Sequence, residues 1–423
     1  MPALHFGPHL TLFRFLHAAD THIDSPLEGL DAYDGAPVAA LRGATRVAFE
    51  NLVRLALDEK VDFLLLAGDV YDGDWKDFST GLFFTRQMAR LEAAGIPVYM
   101  VAGNHDATSV LTLHLTLPDN VQVFSTRAAE SKKVDGLPVA IHGRGFPQRA
   151  VPENLALNYP ARLPGQFNIG LLHTSLTGAP GHDPYAPCSL ADLAGKGYQY
   201  WALGHVHQPQ VLARDPWVVY PGNIQGRHIR ESGARGCRLV TVSDDLEVVE
   251  AEFRALDVVR WARLELDIAD ADALETVHAR IGDELRRAAS AAEDRLLAAR
   301  IVLVGATNLH SALKRDLPGL RAECINQAQR VPDGIWVENV EVRTSPRQNL
   351  ADLAARDELT RIVLETLDQA AAGELALPGE VRDLLKILTP ELREGVEAEL
   401  APKQRADLLD DVRGILLSAL ERH

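Results

Sequence analysis

The chain has 423 residues, too many for one ordinary hydrophobic core, so two or three domains are expected. Hydrophobic residues make up 47% and charged residues 24%, as in soluble globular proteins, and no apolar run approaches the ~18 residues of a membrane helix. A formal net charge of −16 excludes a chain coated in basic surface, so a nucleic-acid partner would need a local basic patch, metal ions or another subunit.

In chain order, LTLFRFLHA (10–18) reads as a strand, ATRVAFENLVRLALDEK (44–60) as an amphipathic helix and VDFLLLAGD (61–69) as a buried strand. TGLFFTRQMARLEAAG (80–95) is a second helix ending on glycine, and IPVYMVAG (96–103) a third strand. Strand–helix–strand–helix–strand predicts an α/β layer with parallel neighbours. Five further strands follow at 120–124, 137–143, 167–173, 198–204 and 216–222, then a hairpin with an Asp-rich turn over 236–253. From about 256 a small β-α-β-α-β unit is predicted: strands at 260–268, 296–305 and 334–343, helices near 272–289 and 309–329. Beyond Pro346 only helical patterns remain, at 350–373, in EVRDLLKIL and in RADLLDDVRGILLSALERH. That tail holds 9 Lys/Arg against 16 Asp/Glu from residue 351 onward, so it is acidic. The expected division is 1–255, 256–346 and 347–423. Cys188, Cys237 and Cys324 are few, odd in number and far apart, which fits neither a disulfide framework nor a zinc ribbon but fits a reducing compartment. The opening residues, broken by His, Pro, Gly and Arg, make a poor signal peptide, and a cytoplasmic protein with no membrane association is expected.

The chemistry gathers where the apolar runs of the first half end. The first leads into Asp20-Thr21-His22, the second into Gly68-Asp69-Val70-Tyr71-Asp72, the third into Gly103-Asn104-His105-Asp106; a later run ends on His173 and another on Gly204-His205-Val206-His207. In open α/β sheets, sites assemble at these carboxyl ends. Residues i and i+2 of an extended segment share a side, so Asp20 with His22, and His205 with His207, can grip one ion. Imidazole and carboxylate without thiolate suits Mn, Fe or Zn rather than Ca. Seven candidate ligands (Asp20, His22, Asp69, Asn104, His173, His205 and His207) exceed the four of a tetrahedral site, and two ions sharing a bridging carboxylate would use them all.

Together DxH, GDxxD, GNHD, a lone His and GHxH resemble the calcineurin-like metallophosphoesterases. HAADTHIDSP (17–26) and YPGNIQGRHIRESGARGC (220–237) resemble the SbcD/YhaO-type DNA-repair exonucleases within them. The resemblance implies an α/β/β/α sandwich with a small α/β capping domain and a helical C-terminal tail. It implies two divalent ions, Mn²⁺ foremost: Asp20, His22, Asp69 and His207 on one, with Asp69 bridging to the other, completed by Asn104, His173 and His205. A hydroxide activated by both ions would attack a phosphodiester of DNA, with His105 as the acid and Asp106 orienting its ring. It further implies an SMC-like coiled-coil ATPase of the SbcC/YhaN kind as partner, and leaves a homodimer open. One departure is Asp24, where many members carry glycine.

Arg144, Arg149, Arg227, His228, Arg230 and Arg235 cluster near these loops, and Arg227, His228 and Arg230 are taken as candidate substrate contacts against the alternative of a solvated loop. Asp72 either contacts His105 or a metal-bound water, or caps a helix. Asn223 is a weaker candidate for the site. His17 and His142 read as core or rim residues, Asp24 and Asp74 as surface carboxylates. The rival functions are a phosphatase or cyclic-nucleotide phosphodiesterase on the same scaffold, and a DNA-end-tethering scaffold subunit with little turnover.

Overall fold

The computed structural model describes residues 11–25, 37–72, 79–108, 116–176, 185–332, 334–347 and 358–371, together with Leu409 and Val412. By contact the chain falls into two compact units, residues 1–262 with 292–298, and residues 263–291 with 299–423. The boundary drawn from sequence at 255/256 lies inside the first unit. The side chain of Gln225 explains this: it accepts from the backbone N–H of Val258 and Val259 and donates to the Val259 carbonyl, tying the following strand to the first unit.

In chain order the first unit contains β1 (Thr11–Ala18), α1 (Val38–Asp58), β2 (Phe63–Leu66), α2 (Ser79–Ala93), β3 (Val98–Met100), β4 (Val121–Val123), β5 (Glu130–Lys133), β6 (Val139–Gly143) and β7 (Phe167–His173). Then come α3 (Leu190–Ala194), β8 (Tyr200–Gly204), β9 (Gln210–Arg214), β10 (Trp217–Tyr220), β11 (Gly236–Ser243) and β12 (Val248–Ala255). They form two six-stranded sheets, ordered β12-β11-β1-β2-β3-β4 and β5-β6-β7-β8-β10-β9. The inner strands run parallel, while β5, β9, β11 and β12 are antiparallel to their neighbours.

The apolar runs lack polar alternation because both strand faces are covered. β1 sends Phe13 and Phe15 between the sheets and Leu16 and Ala18 outward; β2 does the same with Phe63 and Leu65 against Leu64 and Leu66. The outward set packs on Phe49, Leu52 and Val53 of α1 and Phe84, Met88 and Leu91 of α2. On the far face of the second sheet, Trp201, Leu203 and Val218 meet Phe146, Tyr159 and Leu193. The result is the expected α/β/β/α sandwich. His17 and His142 sit in it as satisfied core residues: His17 bonds the Tyr200 hydroxyl (3.1 Å) and the Leu203 carbonyl (3.2 Å), and His142 bonds Ser131 and Asn168. The three cysteines are buried free thiols.

Two edge strands, β5 (ESKK) and β9 (QVLAR), carry no apolar run longer than three residues and gave no signal; polar and charged residues on an outer strand are ordinary because only one side is paired. The short helix α3 was likewise missed, although Ser189 and Asp192 form a capping box.

From Val259 onward come β13 (Val259–Asp267), α4 (Leu274–Ala292), β14 (Leu296–Thr307), α5 (His310–Arg315), α6 (Leu317–Gln329) and β15 (Ile335–Pro346), with the sheet order β13-β14-β15; of these, residues 259–262 and 292–298 belong to the first unit and the rest to the second. The single helix expected over 309–329 is broken in two. Asp316 takes a non-helical backbone and its side chain caps Gly319 N–H (3.0 Å), while Pro318 follows in the first turn of α6. The pattern at 350–373 yields α7 (Glu358–Ala371), in which Leu364 and Leu367 are buried and Ile362 is exposed. EVRDLLKIL, the final helical stretch beyond isolated positions, and Asp74 lie outside the described residues. Among those residues no helix is long and apolar enough to cross a membrane.

Candidate metal centre

The loops after β1, β2, β3, β7 and β8 converge because parallel pairing brings the strands' carboxyl ends to one edge. Asp20 N–H donates to the Gly68 carbonyl and His22 N–H to the Asp69 carbonyl, so the first two loops continue the ladder past the strands. The second sheet is tied in by His173, whose Nδ1 donates to the Ala67 carbonyl (2.9 Å). Glycine makes this approach possible: Gly68 has φ +89°, and a Cβ there would strike the His173 ring, while one at Gly103 would strike the Asp69 carboxylate. Asp20, His22, Asp69 and His205 all have positive φ (50°, 41°, 49° and 100°), left-handed backbone that L-residues adopt at a cost of ~1–3 kcal/mol each. Four of the ten non-glycine residues with positive φ among the described residues are thus candidate ligands.

All seven candidate ligands come together. Asp20, His22 and His207 form one group with mutual ligand-atom distances within 4.8 Å, and Asp69, His173 and His205 form a second. Between His22 and His207 the Nε2 atoms are 3.2 Å apart, and His207 Nε2 is 3.8 Å from Asp20 Oδ1. His173 Nε2 lies 3.0 Å from Asn104 Oδ1 and 3.3 Å from Asp69 Oδ2. The carboxylates are pre-aimed: Asp20 accepts from His205 N–H (2.9 Å) and Asp69 Oδ1 from His105 N–H (2.9 Å).

Divalent cations fit this set. His173 Nδ1 faces a carbonyl, which only accepts, so Nδ1 carries the hydrogen and the neutral ring turns the Nε2 lone pair on two oxygen acceptors. Acceptors facing acceptors in a buried pocket require a positive charge among them. Without one, the ring must take a proton: burial alone would lower the His173 pKa, yet Asp69 and Asp20 lift it to about 9. Asp69 is correspondingly held far below the ordinary carboxylate range by His173, His22 and His105 despite its burial.

The partner of His105 differs from expectation. Asp72, not Asp106, orients His105: Asp72 Oδ1 accepts from His105 Nδ1 at 2.7 Å and raises the ring's pKa. Asp106 turns away in a 3-10 turn (Asp106–Thr108) and accepts the backbone N–H of Gly103 (2.9 Å), Tyr71 (3.0 Å) and Val70 (3.2 Å). Burial and Asp69 push its carboxyl up to about 6 against the pull of those three donors.

The basic cluster is also sorted by the structure. Arg227 points inward, to Asp72 Oδ2 (3.2 Å), Ser25 and Glu231, so its charge is committed to the protein. Arg235 is 2% exposed and donates to the carbonyls of Glu231, Ser232 and His207. Arg149, His228 and Arg230, with Arg235 behind them, line an open cleft of about 550 Å³ with Asp69, Asn104, His105, His205 and His207. His228 reaches Glu231 at 3.7 Å, whereas Arg149 and Arg230 are exposed and form no ion pair among the described residues. Asp24 pairs with Arg46 (2.6 Å). Glu231 was missed altogether: a lone acid in a basic stretch, it is buried and accepts from His207 Nδ1 at 2.6 Å.

Comparison with known proteins agrees with this geometry. Residues 13–209 match the calcineurin-like phosphoesterase family, and residues 261–345 match the middle domain of metallophosphoesterase YhaO. The chain is 35% identical over 353 residues to an uncharacterized metallophosphoesterase YhaO of Bacillus subtilis, covering 81% of this chain and 85% of that one. It is 27% identical over 282 residues to the DNA double-strand break repair protein Mre11 of Haloferax volcanii (63% and 58% covered). The Mre11 of Aeropyrum pernix is 26% identical over 346 residues (76% and 78% covered). With two acceptor sets sharing one edge of the sandwich, and with these likenesses over both units, the chain belongs to the calcineurin-like metallophosphoesterases, in the YhaO family.

Proposed function

We infer that this metal-dependent phosphoesterase cleaves phosphodiester bonds of DNA, working from an end as an exonuclease with Mn²⁺ at its two sites. The observation that carries the hydrolytic part is the pairing of two ligand sets with an imidazole–carboxylate couple, His105–Asp72, on one cleft. Two ions held by Asp20, His22, Asp69 and His207, and by Asp69, Asn104, His173 and His205, would supply positive charge to the phosphate oxygens and acidify a water.

The chain's own residues do the rest. With Nδ1 held by Asp72, His105 is left with Nε2 to hand a proton to the departing sugar oxygen, which leaves poorly as an alkoxide; placed acids contribute ~10²–10⁴-fold. Asp72 favours the charged ring that this step requires. Arg149 and Arg230 provide the local positive charge that a chain of net −16 otherwise lacks, and their place along an open cleft suits a substrate with phosphates on either side of the broken bond. Relatives whose names include DNA double-strand break repair support DNA as that polymer. The reading includes a cytoplasmic location and, as partner, an SMC-like ATPase of the SbcC/YhaN kind.

Turnover of linear duplex DNA against a cyclic nucleotide and a phosphomonoester, all in Mn²⁺, tests this. Preferential release of mononucleotides from duplex ends is expected. Faster hydrolysis of either small substrate would assign a phosphatase or cyclic-nucleotide phosphodiesterase instead, and no hydrolysis of any of them would leave a scaffold.

A further inference from the structure

We propose that Glu231 is a positioning residue, which acts through the ring of His207 to make the ion held by Asp20, His22 and His207 the tighter of the two. This rests on the two-ion reading above and assigns a role to a residue outside the five ligand-bearing motifs.

The geometry at His207 is unlike that at the other ligands. Its Nδ1 meets Glu231 Oε1 at 2.6 Å, and a carboxylate only accepts, so the hydrogen sits on Nδ1 and Nε2 presents its lone pair towards His22 and Asp20. The second oxygen of Glu231 accepts from Arg227 N–H (2.8 Å) and Asn223 Nδ2 (3.0 Å), which fixes the carboxylate in the plane it shows the imidazole. The Arg227 guanidinium adds positive charge at 3.5 Å, so the carboxylate sits among donors on every oxygen. The backbone of the same residue is held too: Arg235 donates from one end of its guanidinium to the His207 carbonyl and from Nε to the Glu231 carbonyl (3.1 Å). Ring and main chain of His207 are therefore gripped by one segment, residues 223–235.

The outer nitrogens of His173 and His22 have weaker support. His173 Nδ1 donates to the neutral Ala67 carbonyl, and His22 Nδ1 is 3.7 Å from Asp72, beyond hydrogen-bond reach. A full negative charge behind an imidazole raises its basicity as a ligand more than a carbonyl dipole does, and losing such a partner typically costs ~10–100-fold in metal affinity. His207 is braced by charge and His173 by a dipole, so the two affinities should differ and Glu231 should govern the one that His207 serves.

Mn²⁺ uptake by the full chain, followed by calorimetry and by paramagnetic resonance of the free ion, tests this without reference to turnover. Wild type is expected to take two ions in separable steps. E231Q should keep one step and weaken the tighter one roughly 10–100-fold. H207A should weaken that same step, and E231Q added to H207A should weaken it no further. The proposal is overturned if E231Q titrates as wild type, or if it costs as much in the H207A background as in wild type. It is overturned as well if both steps weaken alike while the metal-free melting midpoint drops, which would mark a general structural role. A wild type that takes up no ion sinks the two-ion reading too, whereas two ions in wild type with an unaffected E231Q sinks this inference alone.

Discussion

Replacing Asp72 with asparagine removes one negative charge and puts an amide NH₂ where Oδ2 accepted from Arg227 and Ser25, while the amide oxygen can still accept from His105 Nδ1 at the observed 2.7 Å. Hydrogen bonds to charged groups are worth ~1.5–3 kcal/mol and neutral ones ~0.5–1.5, so the variant forfeits about 1–1.5 kcal/mol. At 1.36 kcal/mol per decade that is roughly a five- to tenfold fall in kcat, and D72A, which loses the whole bond, should fall roughly ten- to hundredfold. The pH profile has a definite sign. Asp72 raises the His105 pKa, and the acid works protonated, so activity is present at lower pH and disappears as pH rises through that value. Without the charge the disappearance comes at lower pH. Steady-state kcat against pH, on duplex DNA and on bis(p-nitrophenyl) phosphate, reads both effects. A nitrophenolate leaves without a proton, so the penalty should vanish on that ester. An equal penalty on both substrates, or D72N matching wild type on DNA, would refute the role given to Asp72.

Asp106 is expected to act on stability rather than on the proton. D106A strips the acceptor from three buried N–H groups, and urea unfolding of the metal-free chain should show a loss of about 2–4 kcal/mol; an unchanged midpoint would contradict the clamp. His17 gives the apo-protein acid sensitivity. Burial pushes its pKa from 6.5 down to about 3, so its contribution is whole above 6.5 and fades as pH falls towards 3, at most on the order of 5 kcal/mol. In chelator, the gap between wild type and H17Q in urea midpoint should therefore narrow or reverse from pH 7 to pH 4, and a constant gap would count against it. R149A and R230A should raise KM for DNA severalfold with kcat unchanged, each lowering the salt slope by about one, and should leave bis(p-nitrophenyl) phosphate alone. Equal effects on both substrates would remove these arginines from polymer binding.

The sheets were legible because burial on both faces writes itself into sequence as unbroken apolar runs, and the ligands because each run stops at a group that can hold a metal. Edge strands such as β5 and β9 escape, having one covered side and ordinary polar residues. The pairing of His105 did not follow from adjacency. Asp106 is its neighbour in sequence, but a tight turn sends successive side chains apart, and the partner that reaches it lies on another loop. Arg227 shows the same limit: it belongs to a basic stretch, yet carboxylates below it outcompete the solvent. Glu231 is separated from His207 by 24 positions and lies outside the five ligand-bearing motifs. Left-handed backbone at Asp20, His22, Asp69 and His205 leaves no trace in composition, since the residues chosen there suit chemistry rather than torsion.

The side chain of Asp106 also bears on how such a centre can be altered. By accepting from Val70 and Tyr71 on one loop and Gly103 on the other, it welds the segment bearing Asp69 to the segment bearing His105. Neither can be lengthened or transplanted alone without tearing that seam. Redesign of this enzyme has to move the GDVYD and GNHD segments as a single exchangeable cassette.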